Sequence, residues 1–334
     1  MADDRARHCE EAARGADEAI QHADKAMTLP PTETVRAELG DLDCRTTGAI
    51  LGAMLDQEVR AQAALRDAAP ALAALIDAVF EKLASGGRLF YAGAGTSGRL
   101  AVLDAVECGP TFSLPPGIIV PIVAGGDSAI AGAVEGAEDD VAAPAAILAS
   151  HDIGPNDALV GIAASGGTRF TRAAIEAAKS RGALAGCIVN SPGPIADEAD
   201  IAVIVETGAE ILAGSTRLSA GTTQKIALNA LSTIVMIRLG KTFGPYMVDL
   251  KPTNAKLRAR AIRIVAAIAH CDPQTAEAAL RDAGFEAKTA IIMLRRGLDA
   301  QSARARLSDA KNRLRAALDP ASPTQNATAP PRGF

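Results

Sequence analysis

The stretch Arg88-Leu89-Phe90-Tyr91-Ala92-Gly93-Ala94-Gly95-Thr96-Ser97-Gly98-Arg99-Leu100 decides how the rest of the chain is read. A short apolar run ends in glycines set among two hydroxyl residues, and a helix opens directly after. That is a buried strand, a tight turn and a helix N-terminus. Glycines let a ligand approach the backbone closely, and the helix start offers free N–H groups with partial positive charge. The turn is shaped to hold an anion. It lacks the lysine of a Walker loop. As a dinucleotide fingerprint it is poor, because the next acid, Asp104, falls inside the helix and not at the end of a second strand.

Working outward, the same rhythm repeats. Arg88–Ala92, Ile118–Val123, Ala158–Ala163, Ala183–Val189 and Ile201–Val205 are short apolar runs bounded by Gly, Pro or Asp, and helix-length segments separate most of them. Buried parallel strands joined by crossover helices have this pattern. Before them, Ile50, Leu51, Met54 and Leu55, then Leu72, Leu75, Ile76, Val79, Phe80 and Leu83, recur at helical spacing and predict two helices over 46–83. After them, 219–239 reads as one long helix and 253–318 as all-helical, with breaks near Cys271-Asp272-Pro273 and Gly297. Residues 1–29 read as a frayed helix ended by Pro30-Pro31, and 320–334 as a disordered Pro/Ala/Thr-rich tail. There is no internal repeat.

The composition removes several function classes. The chain has 334 residues, enough for one large α/β domain with helical additions. Aromatics make up 3% and Trp is absent, which argues against stacking platforms for sugars or bases. The net charge is −5 with no basic block, so no nucleic-acid partner is expected. No apolar run is long enough to span a membrane, and the acidic, polar N-terminus is unlike a secretion signal. Cys9, Cys44, Cys108, Cys187 and Cys271 are dispersed, as expected of reduced thiols in a cytoplasm. No His/Cys/Asp cluster has metal-ligand spacing, and His8, His22, His151 and His270 all lie away from the Gly-rich turns.

Two further turns share the hydroxyl–glycine texture. Ala163-Ala164-Ser165-Gly166-Gly167-Thr168 again ends a strand and begins a helix. Gly214-Ser215-Thr216-Arg217 precedes the long helix, with Lys225 two turns further on. In an open parallel sheet, neighbouring strand ends share one crevice, so the turns together predict a phosphate site. Two glutamates sit just beyond Gly-rich turns. Glu107 lies among Val102, Leu103 and Val106, and Glu138 follows Ala124-Gly125-Gly126-Asp127. Paired carboxylates beside a phosphate grip suggest acid–base chemistry on a phosphorylated small molecule, without a metal. Yet a helix running unbroken from Gly98 to Glu107 rises roughly 14 Å. Either the helix bends, or grip and acid come from different subunits.

The motifs Gly93-Ala94-Gly95-Thr96-Ser97-Gly98-Arg99-Leu100, Ala133-Val134-Glu135-Gly136-Ala137-Glu138-Asp139, Gly161-Ile162-Ala163-Ala164-Ser165-Gly166 and Gly214-Ser215-Thr216-Arg217…Ala220-Gly221-Thr222…Gln224-Lys225 resemble the sugar isomerase (SIS) domain of the N-acetylmuramic acid 6-phosphate etherases. Met247-Val248-Asp249 and Thr253-Asn254-x-Lys256-Leu257 fit as well, so the resemblance covers about 32–318. It implies an SIS-type five-stranded parallel sheet flanked by helices, with a helical N-terminal region and a small C-terminal helical region. The implied segments are an extension (1–31), N-terminal helices (32–84), the SIS domain (85–250), C-terminal helices (251–319) and the tail (320–334).

The resemblance also implies a cytoplasmic homodimeric lyase that needs no cofactor and takes a sugar phosphate. Its reaction splits the D-lactyl ether into N-acetylglucosamine 6-phosphate and D-lactate, with Glu107 as acid and Glu138 as base. Gly95, Thr96, Ser97, Gly98, Ser165, Gly166, Thr168, Ser215, Thr216, Arg217 and Lys225 would hold the substrate. The chain departs from the family pattern at Gly109, Gly167, Arg169 and Ser219, around the implied pocket. The competing readings are an amino-sugar phosphate isomerase and a non-catalytic sugar-phosphate sensor akin to the glucokinase regulatory proteins. The isomerase would often want a histidine for ring opening. The sensor would need the grips alone.

Overall fold

The computed structural model describes residues 29–319 apart from Lys251 and Thr253. The expected N-terminal helix (1–29) and C-terminal tail fall outside the described residues, apart from Leu29. The rest forms two compact units. One runs up to Glu107 and again over Pro116–Val235; the other takes Cys108–Pro115 and everything from Met236.

The first unit is the expected α/β layer. Helices α1 (Thr47–Asp67) and α2 (Ala69–Ala84) come first, then β1 (Leu89–Gly93) and α3 (Gly95–Phe112). Next come β2 (Ile119–Val123), the one-turn α4 (Ser128–Ala131), a 3₁₀ turn at Ala137–Asp139 and α5 (Ala143–Ser150). Strand β3 (Ala158–Ala163), α6 (Arg169–Ser180), β4 (Leu184–Val189), α7 (Pro194–Glu198), β5 (Ile201–Ile204) and α8 (Ser219–Arg238) follow. The five strands are all parallel, in the order β2-β1-β3-β4-β5.

Strands β1 and β3 are buried at every residue, which is why they read as unbroken apolar runs. Alternate residues serve opposite faces. Phe90, Ala92, Leu159, Cys187 and Val189 pack with Phe170, Ala174 and Ile175 of α6 and with Leu148 of α5. Helix α6 lies tight on β3 because Gly161 has no side chain. A Cβ there would stand 2.8 Å from Thr171 Cγ2 and 3.0 Å from Ile175 Cδ1. On the other face, Leu75 of α2 rests on Gly186 of β4, where a Cβ would meet Leu75 Cδ1 at 2.3 Å. Burying a leucine such as Leu75 contributes about 1.5–3 kcal/mol.

The second unit carries a two-stranded antiparallel hairpin, β6 (Thr242–Phe243) and β7 (Tyr246–Met247). Helices α9 (Ala255–Ala269), α10 (Pro273–Asp282), α11 (Ala287–Arg296), α12 (Ala300–Asp309) and α13 (Leu314–Leu318) follow. Breaks fall at Cys271–Asp272 and Gly297, where expected, and also at Gly284 and Lys311-Asn312, where no proline marks them. Val265, Leu280, Ile291, Ile292 and Leu314 make its core.

Three cysteines, Cys108, Cys187 and Cys271, are free thiols, but Cys44 is disulfide-bonded, against the expectation of a fully reduced set. Among the described residues no helix is long and apolar enough to cross a membrane.

Candidate active site

The sheet order places the chain reversal between β1 and β3. From β1 the chain moves outward to β2, then returns across to β3 and on to β5. At such a switch point the loops leaving adjacent strand ends turn apart and open a crevice. Here those loops are Gly93–Gly98 and Ala164–Thr168, two of the three turns expected to hold an anion.

The first loop is built by close packing. Gly95 has φ +54°, in the left-handed region, and a side chain there would face open space. Gly98 cannot carry one: its Cβ would lie 2.7 Å from Gly93 O and 2.8 Å from Val123 Cγ1. Helix α3 therefore starts directly over the strand ends. In the second loop Ser165 Oγ accepts from Gly167 N at 3.2 Å and stands 3.5 Å from Thr168 Oγ1. Gly166, at φ +72°, is pressed against Ser191, whose carbonyl oxygen would stand 2.4 Å from an added Cβ. Thr168 is the N-cap of α6, and its side chain caps no backbone N–H. Its hydroxyl and that of Ser165 are half-buried at the crevice.

A buried polar chain locks these loops together. Ser97 Oγ donates to Gln224 Oε1 at 2.8 Å, and Gln224 Nε2 donates to Asn190 Oδ1 at 2.8 Å. Asn190 Nδ2 donates to Thr223 Oγ1 (2.9 Å) and to Val205 O (3.1 Å). The ends of β1, β4 and β5 and the second turn of α8 are thereby tied through groups that are nearly all out of solvent. Such a network holds its members in one geometry because each unmade bond would leave a buried polar group unsatisfied. Ser97 thus donates its proton inward, while Thr96 lies by the start of α8: a Cβ on Gly221 would meet Thr96 Cγ2 and Thr216 O, each at 3.4 Å.

The third turn, Ser215-Thr216-Arg217, leads into α8 beside Thr96. The helix N-terminus behind it is already capped. Glu210, 1% exposed, accepts Ser219 N (3.1 Å) and Ala220 N (2.9 Å) through its two carboxylate oxygens. Ser219 Oγ donates to Glu58 Oε1 at 3.0 Å. Any anion at this turn must use the residues before the helix, since Glu210 fills the place of a bound anion. Lys225 lies nearly two turns into α8, exposed, and its charge acts on Asp104.

The two glutamates are placed differently. Glu138 lies in the 3₁₀ turn after β2, exposed. Arg99 holds the stretch that precedes it to the first loop, donating from Nε to Ala129 O (2.9 Å) and from Nη2 to Gly132 O (2.6 Å). Asp139 reaches Arg169 at the start of α6, 3.8 Å away. Glu138 therefore sits at the same end of the sheet as the Gly95–Gly98 and Ser165–Thr168 loops. Glu107 does not. Helix α3 is continuous from Gly95 to Phe112, with Pro110 in its last turn, so Glu107 lies about 18 Å along the axis from Gly95. It is exposed, as are Leu103 (50%) and Val106 (62%), so the apolar neighbours read from sequence do not bury it within the chain.

Asp104, three residues before Glu107, is the buried carboxyl of this helix. It accepts from Tyr91 Oη at 3.0 Å and Ser232 Oγ at 2.9 Å. Burial raises its pKa to about 6, and these two hydrogen bonds and the Lys225 charge pull the other way. Among the described residues no group of His, Cys, Asp and Glu could hold a metal ion.

The glucokinase regulatory protein N-terminal SIS domain matches residues 71–179, and the SIS domain matches 141–234. An N-acetylmuramic acid 6-phosphate etherase of Deinococcus radiodurans is 48% identical over 294 residues, 87% of this chain and 96% of that protein. Those of Rubrobacter xylanophilus (48% over 288 residues, 86% and 95%) and Cutibacterium acnes (46% over 297 residues, 89% and 98%) are as close. The chain belongs to the N-acetylmuramic acid 6-phosphate etherase family.

Of the etherase-family motifs quoted from the sequence, those at 93–100, 161–166 and 214–225 fall on the strand-end loops and the first turns of α8, that at 133–139 on the segment after α4, and those at 247–249 and 254–257 on β7 and the start of α9, with Glu107 set apart. Asn190 and Thr223 carry the etherase crevice as much as the motif residues do, and sequence reading passed over both. The signal was available for Asn190: Val189-Asn190-Ser191-Pro192-Gly193 switches from a buried apolar strand to polar and turn residues in one step. Asp104 was read only as an argument against a dinucleotide site. Its partners, Tyr91 and Ser232, come from distant elements that sequence spacing does not connect.

Proposed function

We propose that this chain, whose relatives are named N-acetylmuramic acid 6-phosphate etherases, is a carbon–oxygen lyase that cleaves the D-lactyl ether of N-acetylmuramic acid 6-phosphate in the recycling of cell-wall sugar. The observation that supports it is that Arg99 ties the stretch leading to the Glu138 turn, at Ala129 and Gly132, to one hydroxyl-bearing strand-end loop, while Asp139 approaches Arg169 beside the other. A carboxylate is thereby held near a place fit for a phosphate. Thr96, Ser165, Gly166 and Thr168, with the backbone of Gly95–Gly98, take the 6-phosphate. Ser97 acts through its bond to Gln224. Ser215, Thr216, Arg217 and Lys225 face the remainder of the sugar.

An alkoxide is a poor leaving group, and elimination is the way round it. With the ring open, the C1 aldehyde makes the C2 proton acidic. Glu138 removes that proton, the C3–O bond breaks with its electrons going to the lactate oxygen, and Glu107 protonates that oxygen. Water then adds across C2=C3, its hydroxyl to C3 and a proton to C2, which gives N-acetylglucosamine 6-phosphate and D-lactate. No step needs a cofactor.

Glu107 is too far along α3 to serve the crevice of its own chain, so the reading includes a homodimer in which it serves its partner's. Exposed apolar residues on α1 (Leu51, Leu55, Val59), α3 (Leu103, Val106) and α8 (Ile226, Ile234) supply surface for that assembly. The compartment proposed is the cytoplasm.

Incubation with N-acetylmuramic acid 6-phosphate and an assay for lactate tests the reaction, and no lactate from the folded dimer would end it. Deuterium exchange at C2 separates the glutamates. Glu107→Gln should lose lactate release but keep exchange, whereas Glu138→Gln should lose both, by about 10²–10⁴-fold in rate. Exchange retained in Glu138→Gln would assign the base elsewhere.

A further inference from the structure

A cavity of about 750 Å³ opens in the helical unit, and its walls are cationic. Lys241, Lys288, Arg304 and Lys311 face two acids, Asp249 and Glu286. Arg304 and Glu286 neutralise each other at 2.8 Å. Asp249 lies between two ammonium groups, Lys288 at 2.8 Å and Lys241 at 3.1 Å. Lys311 is in no ion pair among the described residues. The net is a surplus of positive charge in a concave, half-enclosed place.

Lys288 is the unusual member. Its side chain is 5% exposed, and its ammonium donates to Asp249 and to Asn312 O (2.9 Å). An ammonium has three protons, so one is left over. Burial lowers its pKa against the pull of Asp249, and an added anion would relieve that cost. The start of α11 lies on the same cavity. Ala287, Lys288 and Thr289 line it, and no side chain caps the N–H groups of that turn, because Glu286 engages Thr289 Oγ1 and Arg304 instead. Four of the six described non-glycine residues with left-handed φ, namely Ser113, Phe285, Lys311 and Asn312, line this one cavity. Conformations of that cost cluster where a site is built.

We propose that this cavity is a binding site for a phosphate dianion carried by a small metabolite of monosaccharide size. Lys241, Lys288, Lys311 and the α11 N-terminus hold the phosphate, and the walls at Leu239, Val248 and Leu307 take the carbon skeleton. A lone phosphate would fill only a small part of such a volume.

The test is site-specific lysine footprinting of the full-length protein. Acetylation of Lys241 and Lys311 by acetic anhydride is followed by peptide mass spectrometry in chloride, inorganic phosphate or glucose 6-phosphate at one ionic strength. Glucose 6-phosphate should slow both lysines several-fold, at lower concentration than phosphate does, and chloride should not. The protection should persist in Ser165→Ala/Thr168→Ala, which weakens the strand-end crevice, and should fall at Lys311 in Lys241→Gln. Equal rates in all three solutions would overturn the site, as would protection that disappears in the Ser165→Ala/Thr168→Ala protein. Protection by inorganic phosphate at concentrations as low as by glucose 6-phosphate would overturn the monosaccharide-sized ligand.

Discussion

The crevice end and the far end of helix α3 carry the two halves of the same proposed chemistry, yet they are built on opposite plans. At the crevice, Ser97, Gln224, Asn190 and Thr223 form an inward, satisfied network, and glycines at 93, 98 and 166 allow contacts no side chain would permit. Around Glu107, Leu103 and Val106 stand half or more exposed. The first region is finished by the chain's own fold. The second is finished, in the proposed function, by a second copy. A site can thus be preorganised on one side and depend on assembly on the other.

The strongest way to break that comparison is a charge on the apolar face of α3. Val106→Asp should leave the fold intact, because an exposed substitution changes stability by only about 0.5 kcal/mol. It should still lower lactate release by about 10²–10⁴-fold, as loss of a general acid does, with dissociation to monomer. Sedimentation and activity on one preparation decide it, and an active monomeric variant would place Glu107 within its own chain's site.

Asp104 sharpens the contrast, since it shares α3 with Glu107 but faces inward. Its pKa is about 6 in the fold, against the ordinary 3.8. The unfolded chain therefore gives up this proton first. The stability contribution is full below about pH 4 and is lost as pH rises through about 6, a swing of about 3 kcal/mol. Urea midpoints at pH 4 and pH 7 should show this fall in the parent and a flatter profile in Asp104→Asn. An unchanged slope would mean that Asp104 does not titrate in this range.

The smallest effect probes the network. Asn190→Ala removes the acceptor of Gln224 Nε2 and the donor to Val205 O, leaving buried groups unsatisfied at about 1–3 kcal/mol. The apparent Michaelis constant should rise as the loops at 95–98 and 165–168 lose their register. A variant with parental stability and binding would show that the glycine contacts alone hold the crevice.

Much of the architecture was legible in the chain. Five apolar runs became five parallel strands within a residue or so of their expected ends, since a strand buried on both faces must be apolar throughout. The long helix at 219–239 and the breaks at Cys271–Asp272 and Gly297 were equally plain. The hairpin at 242–247 and the break at Lys311-Asn312 were missed, because two-residue strands have too few residues to show a period and the break carries no proline or glycine. Helix α1 misled in another way. Ile50, Leu51, Met54 and Leu55 have core spacing, but α1 buries only Gln57 and Ala61 within the chain, so periodicity reported an apolar face without reporting what covers it.

Local order by itself determined the sheet, the three hydroxyl–glycine turns and the family, because turn geometry and strand burial act on neighbouring residues and leave their mark in consecutive letters. Only the tertiary structure decided that Ser97 donates inward, that Glu210 occupies the start of α8, that Asp104 and not Glu107 is the buried carboxyl of α3, and that Glu138 stands with the crevice. Those outcomes depend on pairs separated along the chain, from Glu210 with Ser219 and Asp139 with Arg169 to Ser97 with Gln224 and Asp104 with Ser232, or on which side of a helix meets the sheet. Hydrogen bonding and desolvation act through space at about 3 Å, and no spacing rule along the chain carries that distance.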